Sequence, residues 1–246
     1  GASVAERGEC LVADVFSVSL GYNTFDNPVS NYTYANMDGN TTTIARAADI
    51  AEKKGILMVA AAGNEGANAW HYITTPADAD SVLAVGAVDT SRQVAAFSSY
   101  GPSSDGQVKP DIAAVGVRAV IADANSGNPD YGSGTSFACP IMAGITTCLW
   151  QAFPEVNNMQ IIDALRRSAD KFTAPNDRTG YGVPDVKNAF VLLIKKLYTQ
   201  QITTGSNCDI NLQLVVKMAA DMLVDVESKL PGVTTYSVIS TLKTSN

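Results

Sequence analysis

Hydrophobic positions along the chain alternate between short continuous runs and helical spacing. Apolar runs at residues 12–20, 56–61 and 82–88 predict buried strands. Residues 41–54 place an isoleucine and several alanines on one face, which predicts an amphipathic helix that begins at Asn/Thr capping residues. A strand, a helix and a second buried strand are typical of a βαβ unit and therefore of a parallel sheet.

Helical spacing returns in three later segments. They cover residues 136–153, residues 158–169 and a stretch that begins at Pro184. Together with the buried strands, these segments predict an open α/β sheet with helices on both faces.

The pattern changes after Leu197. A polar segment at residues 200–207 is followed by alternating apolar and polar positions at 210–217 and 224–227. A Pro-Gly turn then precedes a β-branched stretch at 233–241. These features predict three strands.

The change of pattern also predicts two domains. We expect an α/β domain in residues 1–197, and a linker with the first strands of a β-sandwich (fibronectin III-like) module in residues 198–246. The apolar spacing at residues 212–226 also fits a helix, and this alternative stays open. Three strands do not complete a sandwich, so the chain is expected to end within that module.

Composition narrows the possible partners. The net charge of −7 disfavours nucleic-acid binding, because neutralising phosphates requires a basic surface. No apolar run approaches the ~20 residues that span a bilayer. Cys139 and Cys148 lie about 13 Å apart on one predicted helix, which is too far for a disulfide.

A serine and an asparagine stand where acyl-transfer chemistry needs them. Ser136 is predicted at a helix N-terminus, where its own N–H and the helix dipole favour a developing negative charge. Asn64 follows a buried strand and can supply a second donor from its side-chain amide. We therefore expect a nucleophile and an oxyanion hole that meet at the carboxyl edge of the sheet.

The segments around these two residues resemble the signatures of a known family. Residues 134–140, Gly-Thr-Ser-Phe-Ala-Cys-Pro, resemble the serine signature Gly-Thr-Ser-x-Ala-x-Pro of the subtilisin-like peptidases (subtilases). Residues 61–66, Ala-Ala-Gly-Asn-Glu-Gly, are similar to that family's oxyanion segment. Five more segments agree in the same order, at residues 18–21, 85–88, 97–102, 109–112 and 180–183. The resemblance covers about residues 10–195.

The resemblance implies a parallel α/β fold and a serine endopeptidase that acts on peptides or proteins. It implies that Ser136 is the acylated nucleophile and that Asn64 is an oxyanion donor. No calcium-ligand spacing is evident in the sequence, so we assign no metal and no cofactor. Because most members of the family are secreted, it also implies a secreted or cell-surface location, although no targeting signal is readable.

The resemblance further implies a substrate cleft with two walls. The first wall pairs with an extended peptide through its backbone, and the second borders the S1 pocket. The first wall consists of Ser19, Leu20 and Gly21, and the second wall consists of Ala61, Ala62 and Gly63. Thr74 and Thr75 are candidates for the pocket floor. The small residues of the second wall permit a large substrate side chain without fixing the specificity.

The family's triad motifs, Asp-Ser/Thr-Gly and His-Gly-Thr-His, precede the strand that corresponds to residues 14–20, and neither occurs in this sequence. The one histidine, His71, is expected on a surface loop beside the cleft and not as the general base. We therefore expect this chain to be the C-terminal part of a subtilase catalytic domain. Its expected partner is the missing N-terminal part of the same domain, and we expect the chain alone to be inactive.

Two other functions stay open. The chain could be a pseudopeptidase that binds peptides without catalysis, or a structural module whose C-terminal strands carry the function. Separately, the missing N-terminal part would leave a sheet edge uncovered, and we expect this edge to favour association.

Overall fold

A computed structural model describes residues 13–199 and the backbone of four short strands beyond them. The pattern of contacts divides the chain after Ile194 into two compact units. Each unit is described by itself.

A four-stranded parallel sheet forms the centre of the first unit. Its strands are β1 (Val15–Val18), β2 (Leu57–Ala61), β3 (Leu83–Val88) and β4 (Ile112–Val115). They are parallel neighbours in the order β1-β2-β3-β4. Every residue of β3 is buried, as expected for a strand that is covered on both faces.

Within the described residues four α-helices accompany the sheet, and the first three lie within two residues of their predicted bounds. They are α1 (Thr43–Lys53), α2 (Thr135–Ala152), α3 (Asn158–Ser168) and α4 (Val186–Thr199). Side-chain caps begin two of them: Thr42 accepts from Ala45 N in α1, and Asn157 accepts from Gln160 N in α3. No helix in the described part of the chain is long and apolar enough to cross a membrane.

Helices α1 and α2 cover opposite faces of the sheet. Val18 of β1 packs against a buried cluster that includes Ala45 and Ala48 of α1. The preceding residue, Ser17, contacts Cys139 of α2, with Oγ and Sγ 3.7 Å apart. Because successive side chains of a strand point to opposite faces, the predicted α/β sheet with helices on both faces is confirmed.

A buried ion cluster joins β4 to α3 and to the segment before β3. Lys109 Nζ donates to Ala79 O at 2.7 Å and lies 3.3 Å from Asp111 Oδ2. Asp111 Oδ1 accepts from Arg166 Nη2 at 2.5 Å, and Oδ2 accepts from Ala84 N at 2.6 Å. Buried charges are tolerated when paired and hydrogen-bonded in this way.

Two antiparallel strands follow the sheet before α2. They are β5 (Ala119–Ala122) and β6 (Pro129–Gly132). The end of β6 leads through Ser133 and Gly134 into α2. This connection brings the start of α2 to the carboxyl edge of the sheet, where open α/β sheets bind their ligands.

In the second unit the structure describes two antiparallel strand pairs. Strands β7 (Thr203–Thr204) and β8 (Ile210–Asn211) form one pair, and β9 (Leu223–Ser228) and β10 (Ser237–Lys243) form the other. Residues 223–226 of the alternative helix are therefore in a strand. The rest of that segment lies outside the described residues, and the β-sandwich module stays a prediction.

Candidate active site

Ser136 occupies the second position of α2, two residues after the N-cap residue Gly134. Its side chain is half-buried, and its Oγ lies 3.4 Å from Ser19 O, which accepts its hydrogen bond. The Ser136 N–H is one of the amides that a helix leaves unpaired at its start, and it has no acceptor among the described residues. A hydroxyl and a free amide thus share the positive end of the helix dipole.

Asn64 lies against the same helix end. Its Oδ1 accepts two hydrogen bonds from Thr135, one from N at 2.9 Å and one from Oγ1 at 3.0 Å. Gly134, at the N-cap, has no side chain to cap α2, so Asn64 caps it from 71 residues away along the chain. Because Oδ1 is fully engaged, the exposed carboxamide keeps Nδ2 as a donor without an acceptor in the described residues.

Thr135 joins the Asn64 segment to the start of α2, a contact that the sequence analysis did not predict. Its buried Oγ1 donates to Asn64 Oδ1 and accepts from Gly63 N at 3.2 Å. Thr135 belongs to the Gly-Thr-Ser signature, but the signature alone does not indicate this contact. In the fold, Thr135 holds the Asn64 segment against α2.

Ser19 tethers the helix from the other side. Pro140 lies inside α2 and has no N–H, so the carbonyl of Ser136, four residues earlier, loses its usual helical partner. Ser19 Oγ donates to this Ser136 O at 2.9 Å. Pro140 and Ser19 together therefore hold Ser136 against the first predicted wall.

The predicted wall residues differ in exposure. In the first wall, Leu20 is 60% exposed and Gly21 is exposed. In the second wall, Ala61 and Ala62 are buried, and only Gly63 is half-exposed. The carbonyl oxygens of Ala62 and Gly63 accept hydrogen bonds from the backbone of neighbouring segments, from Thr74 N and Ser99 N.

The side chain of Thr74 lies against a glycine of each wall. A Cβ on Gly21 would overlap Thr74 Oγ1, and a Cβ on Gly63 would come within 2.9 Å of the same oxygen. Gly63 also has a φ of +112°, which side chains with a Cβ rarely adopt. Both positions therefore require glycine.

His71 does not contact Ser136. Its ring stacks on Tyr100 with centroids 5.1 Å apart and lies 4.1 Å from the Tyr72 ring. Its Nδ1 lies 3.1 Å from Ala69 O. Within residues 13–199, no imidazole or carboxylate forms a hydrogen bond with Ser136 Oγ.

Cys139 lies three residues after Ser136 in α2 but does not act as a second nucleophile. Cys139 is fully buried, and its Sγ donates to Val59 O at 3.3 Å. Burial raises the pKa of this thiol, because the thiolate would lose its hydration. Cys139 therefore stays protonated and unreactive.

The sequence is similar to known proteins over most of the described residues. Residues 10–182 match the model of the subtilase family, peptidase S8. The thermophilic serine proteinase of Bacillus sp. (strain AK1) is 36% identical over 152 residues, which are 62% of this chain and 35% of that protein. Serine protease AprX of Bacillus subtilis (strain 168) is 32% identical over 179 residues, covering 65% of this chain and 38% of that protein. The chain thus spans little more than a third of the length of these relatives.

Solved structures show the same fold. The prenylagaramide maturation protease PagA superposes with a TM-score of 0.59 and 28% identity, covering 78% of this chain and 64% of that one. The maturation protease PatA gives a TM-score of 0.56 and 26% identity, covering 78% and 65%.

Proposed function

Because the chain belongs to the subtilase family, we propose that it carries the nucleophile and the oxyanion hole of a serine endopeptidase. The observation that supports this most strongly is the Asn64 carboxamide held against the helix end that presents Ser136. The substrates are peptides or proteins. A secreted location is part of the proposal, since one relative is the halolysin-like extracellular serine protease Nep of Natrialba magadii.

In the proposed reaction Ser136 Oγ attacks the carbonyl carbon of a peptide bond and gives its proton to a base. The carbonyl oxygen becomes an oxyanion, which accepts hydrogen bonds from Ser136 N–H and Asn64 Nδ2. The C–N bond then breaks, the proton passes to the leaving amine, and an ester on Ser136 remains. Water hydrolyses the ester and restores the hydroxyl.

The base has to come from outside the described residues. His71 is the single histidine of the chain, and its ring packs against Tyr72 and Tyr100. Without a base a serine hydroxyl is a poor nucleophile. We therefore propose that the chain by itself does not hydrolyse peptides at a useful rate and that a polypeptide bearing the base completes the site.

Fluorophosphonate labelling tests this proposal. The chain alone should label no more than its Ser136→Ala variant. Added imidazole should then raise labelling at Ser136, because the nucleophile and the oxyanion donors are in place and only the base is missing. Asn64→Ala should reduce the rescued rate, since an oxyanion-hole donor in subtilisin, a member of this family, contributes roughly 10²–10³. Strong labelling without imidazole would contradict the missing base.

A peptide-binding pseudopeptidase is the second candidate, because no imidazole or carboxylate of the described residues forms a hydrogen bond with Ser136 Oγ. In that case imidazole would not restore labelling, although peptides would still bind between the walls. Binding without rescue therefore identifies the pseudopeptidase, and rescue that depends on Asn64 identifies the endopeptidase.

A further inference from the structure

Residues 97–99, in the connection between β3 and β4, pack against residues 63–66, the turn that carries Asn64. The backbone N–H of residue 66 donates to the carbonyl of residue 97 at 2.8 Å. A Cβ on Gly66 would overlap Ser98 O, so the two backbones lie closer together than a side chain at this position would permit. The turn that carries Asn64 therefore rests directly on the backbone of residues 97–99.

Ser99 forms a hydrogen bond with each neighbour of Asn64 in the chain. Its N–H donates to Gly63 O at 3.0 Å, and its Oγ accepts from Glu65 N at 2.9 Å. Ser99 is fully buried, and hydrogen bonds in such surroundings are electrostatically stronger than in water. The peptide units on both sides of Asn64 are therefore fixed relative to Ser99.

Asn64 is consequently held from two directions. Thr135 holds its Oδ1 through two hydrogen bonds, and Ser99 holds the backbone on both sides of its Cα. Because the carboxamide is planar, the direction of Nδ2 is fixed once Oδ1 and Cα are both fixed. Thr135 alone would leave Cα free to shift. An oxyanion donor is effective only when it is aimed at the place where the charge develops.

We propose that Ser99 is a positioning residue of the oxyanion hole, which acts on the reaction only through Asn64. This inference rests on the proposed function and adds to it a residue outside the reacting groups. Without the Ser99 hydroxyl, Glu65 N loses its acceptor and that side of the turn is released. The Asn64 Nδ2 then moves relative to the oxyanion, and a misplacement of about 1 Å can lower a rate roughly 100-fold.

Ser98→Ala is the matched control for Ser99→Ala. Ser98 is also fully buried, and its Oγ accepts a backbone N–H from Ala87 at 3.0 Å; its contact with Ser99 O is long, at 3.5 Å. Each variant loses one hydroxyl and one backbone hydrogen bond, so both should lower the thermal unfolding midpoint by similar amounts. Only Ser99→Ala should lower the imidazole-rescued fluorophosphonate labelling of Ser136, by about tenfold to a hundredfold.

A double-mutant cycle separates positioning from a general structural effect. Asn64→Ala removes the donor that Ser99 holds, so adding Ser99→Ala to it should not lower the rescued labelling rate further. An equal loss in both backgrounds would overturn the proposal and leave the endopeptidase function intact. The same conclusion would follow if Ser98→Ala slowed labelling as much as Ser99→Ala does.

The side-chain amide resonances of Asn64 test the positioning without labelling. In a two-dimensional proton–nitrogen correlation spectrum, they are the pair that disappears in Asn64→Ala. Ser99→Ala should shift or broaden this pair, and Ser98→Ala should leave it in place; an unchanged pair in Ser99→Ala would overturn the proposal.

Failure of the proposed function has a different signature. Absence of imidazole rescue in the unmodified chain would overturn the endopeptidase function, and the amide resonances would then decide alone whether Ser99 orders Asn64. If Ser99→Ala does not fold, Ser99→Cys makes the same comparisons with a smaller expected change, because a thiol is a weaker acceptor than a hydroxyl.

Discussion

Asn64 combines two roles that can be separated by substitution. Its Oδ1 caps α2 through Thr135, and its Nδ2 is free to donate. Asn64→Asp keeps the acceptor and adds a negative charge at a helix N-terminus, which is favourable. Asn64→Ala removes both functions.

We expect Asn64→Ala to lower the free energy of unfolding by about 1 kcal/mol and Asn64→Asp to leave it unchanged or higher. Urea unfolding monitored by circular dichroism measures both values. Both variants should lose the imidazole-rescued labelling of Ser136. An Asn64→Asp variant as unstable as Asn64→Ala would show that Oδ1 does not cap the helix.

Asp78 gives the fold a pH dependence of unusual sign. The residue is fully buried, Oδ2 accepts from Gly39 N at 3.2 Å, and Oδ1 has no partner among the described residues. Burial raises the pKa of this carboxyl and outweighs the hydrogen bonds from Thr75 and Gly39 and the charge of Lys109. The folded state therefore holds the proton more tightly than the unfolded state, and this group's contribution to stability falls as pH rises above about 4, its unfolded pKa.

Asp78→Asn should consequently gain stability relative to the unmodified chain as pH rises from about 4, the unfolded aspartate pKa, towards 7. Asp38 is the matched control with the opposite sign. Hydrogen bonds from Thr41 and Asn40 lower its pKa despite partial burial, so Asp38→Asn should lose stability relative to the unmodified chain as pH rises towards about 4, and this difference should stay nearly constant at higher pH. Thermal unfolding above and below this pH measures both differences. A constant difference for Asp78→Asn would show that Asp78 has the same pKa in the folded and unfolded states.

At the scale of elements, α2 is held in place by a hydrogen bond from Ser19, the residue that follows β1. Pro140 deprives Ser136 O of its helical donor, and Ser19 Oγ replaces it at 2.9 Å. The Ser19 hydroxyl therefore stabilises the fold through this hydrogen bond only because Pro140 is present. This dependence is the property that a double-mutant cycle measures.

Ser19→Ala should lower the free energy of unfolding by about 1 kcal/mol, the net value of a typical hydrogen bond. In a Pro140→Ala background the same change should cost clearly less, because the alanine N–H again reaches Ser136 O. The coupling energy comes from denaturant unfolding of the four proteins. Equal costs in both backgrounds would mean that Ser19 and Pro140 act independently.

The limits of sequence reasoning appear in these same residues. Ser136 and Asn64 could be identified because each follows a local signature, and because parallel strands end at one edge of a sheet. The sequence also shows that the helix lacks a hydrogen bond at Pro140, since proline has no N–H. The sequence does not show that Ser19 replaces this hydrogen bond, because the replacement depends on how closely β1 packs against α2. The position of Thr74 between Gly21 and Gly63 likewise depends on distances between separate segments, which no periodicity records.

At the scale of the whole molecule, β1 is the edge strand of the described sheet. Of the described strands only β2 pairs with it, so within the described residues its other side has no strand partner, and an edge of this kind can pair with another chain. A cavity of about 490 Å³ lies beside β1, lined on β1 by Val15 and on α2 by Thr147 and Trp150. Apolar surface and an open strand edge at one place favour self-association.

We expect the sedimentation coefficient of the chain to rise with concentration in the micromolar range. Val15→Lys places a charge on the edge, a substitution that opposes edge-to-edge pairing, and should shift the population towards monomer. Ile50→Lys is the matched control: Ile50 lies on α1 and is 53% exposed, and its replacement changes the net charge equally without touching the edge. Analytical ultracentrifugation separates the two effects. If both variants dissociate to the same extent, net charge governs association; if the unmodified chain stays monomeric at every concentration, the edge does not drive association.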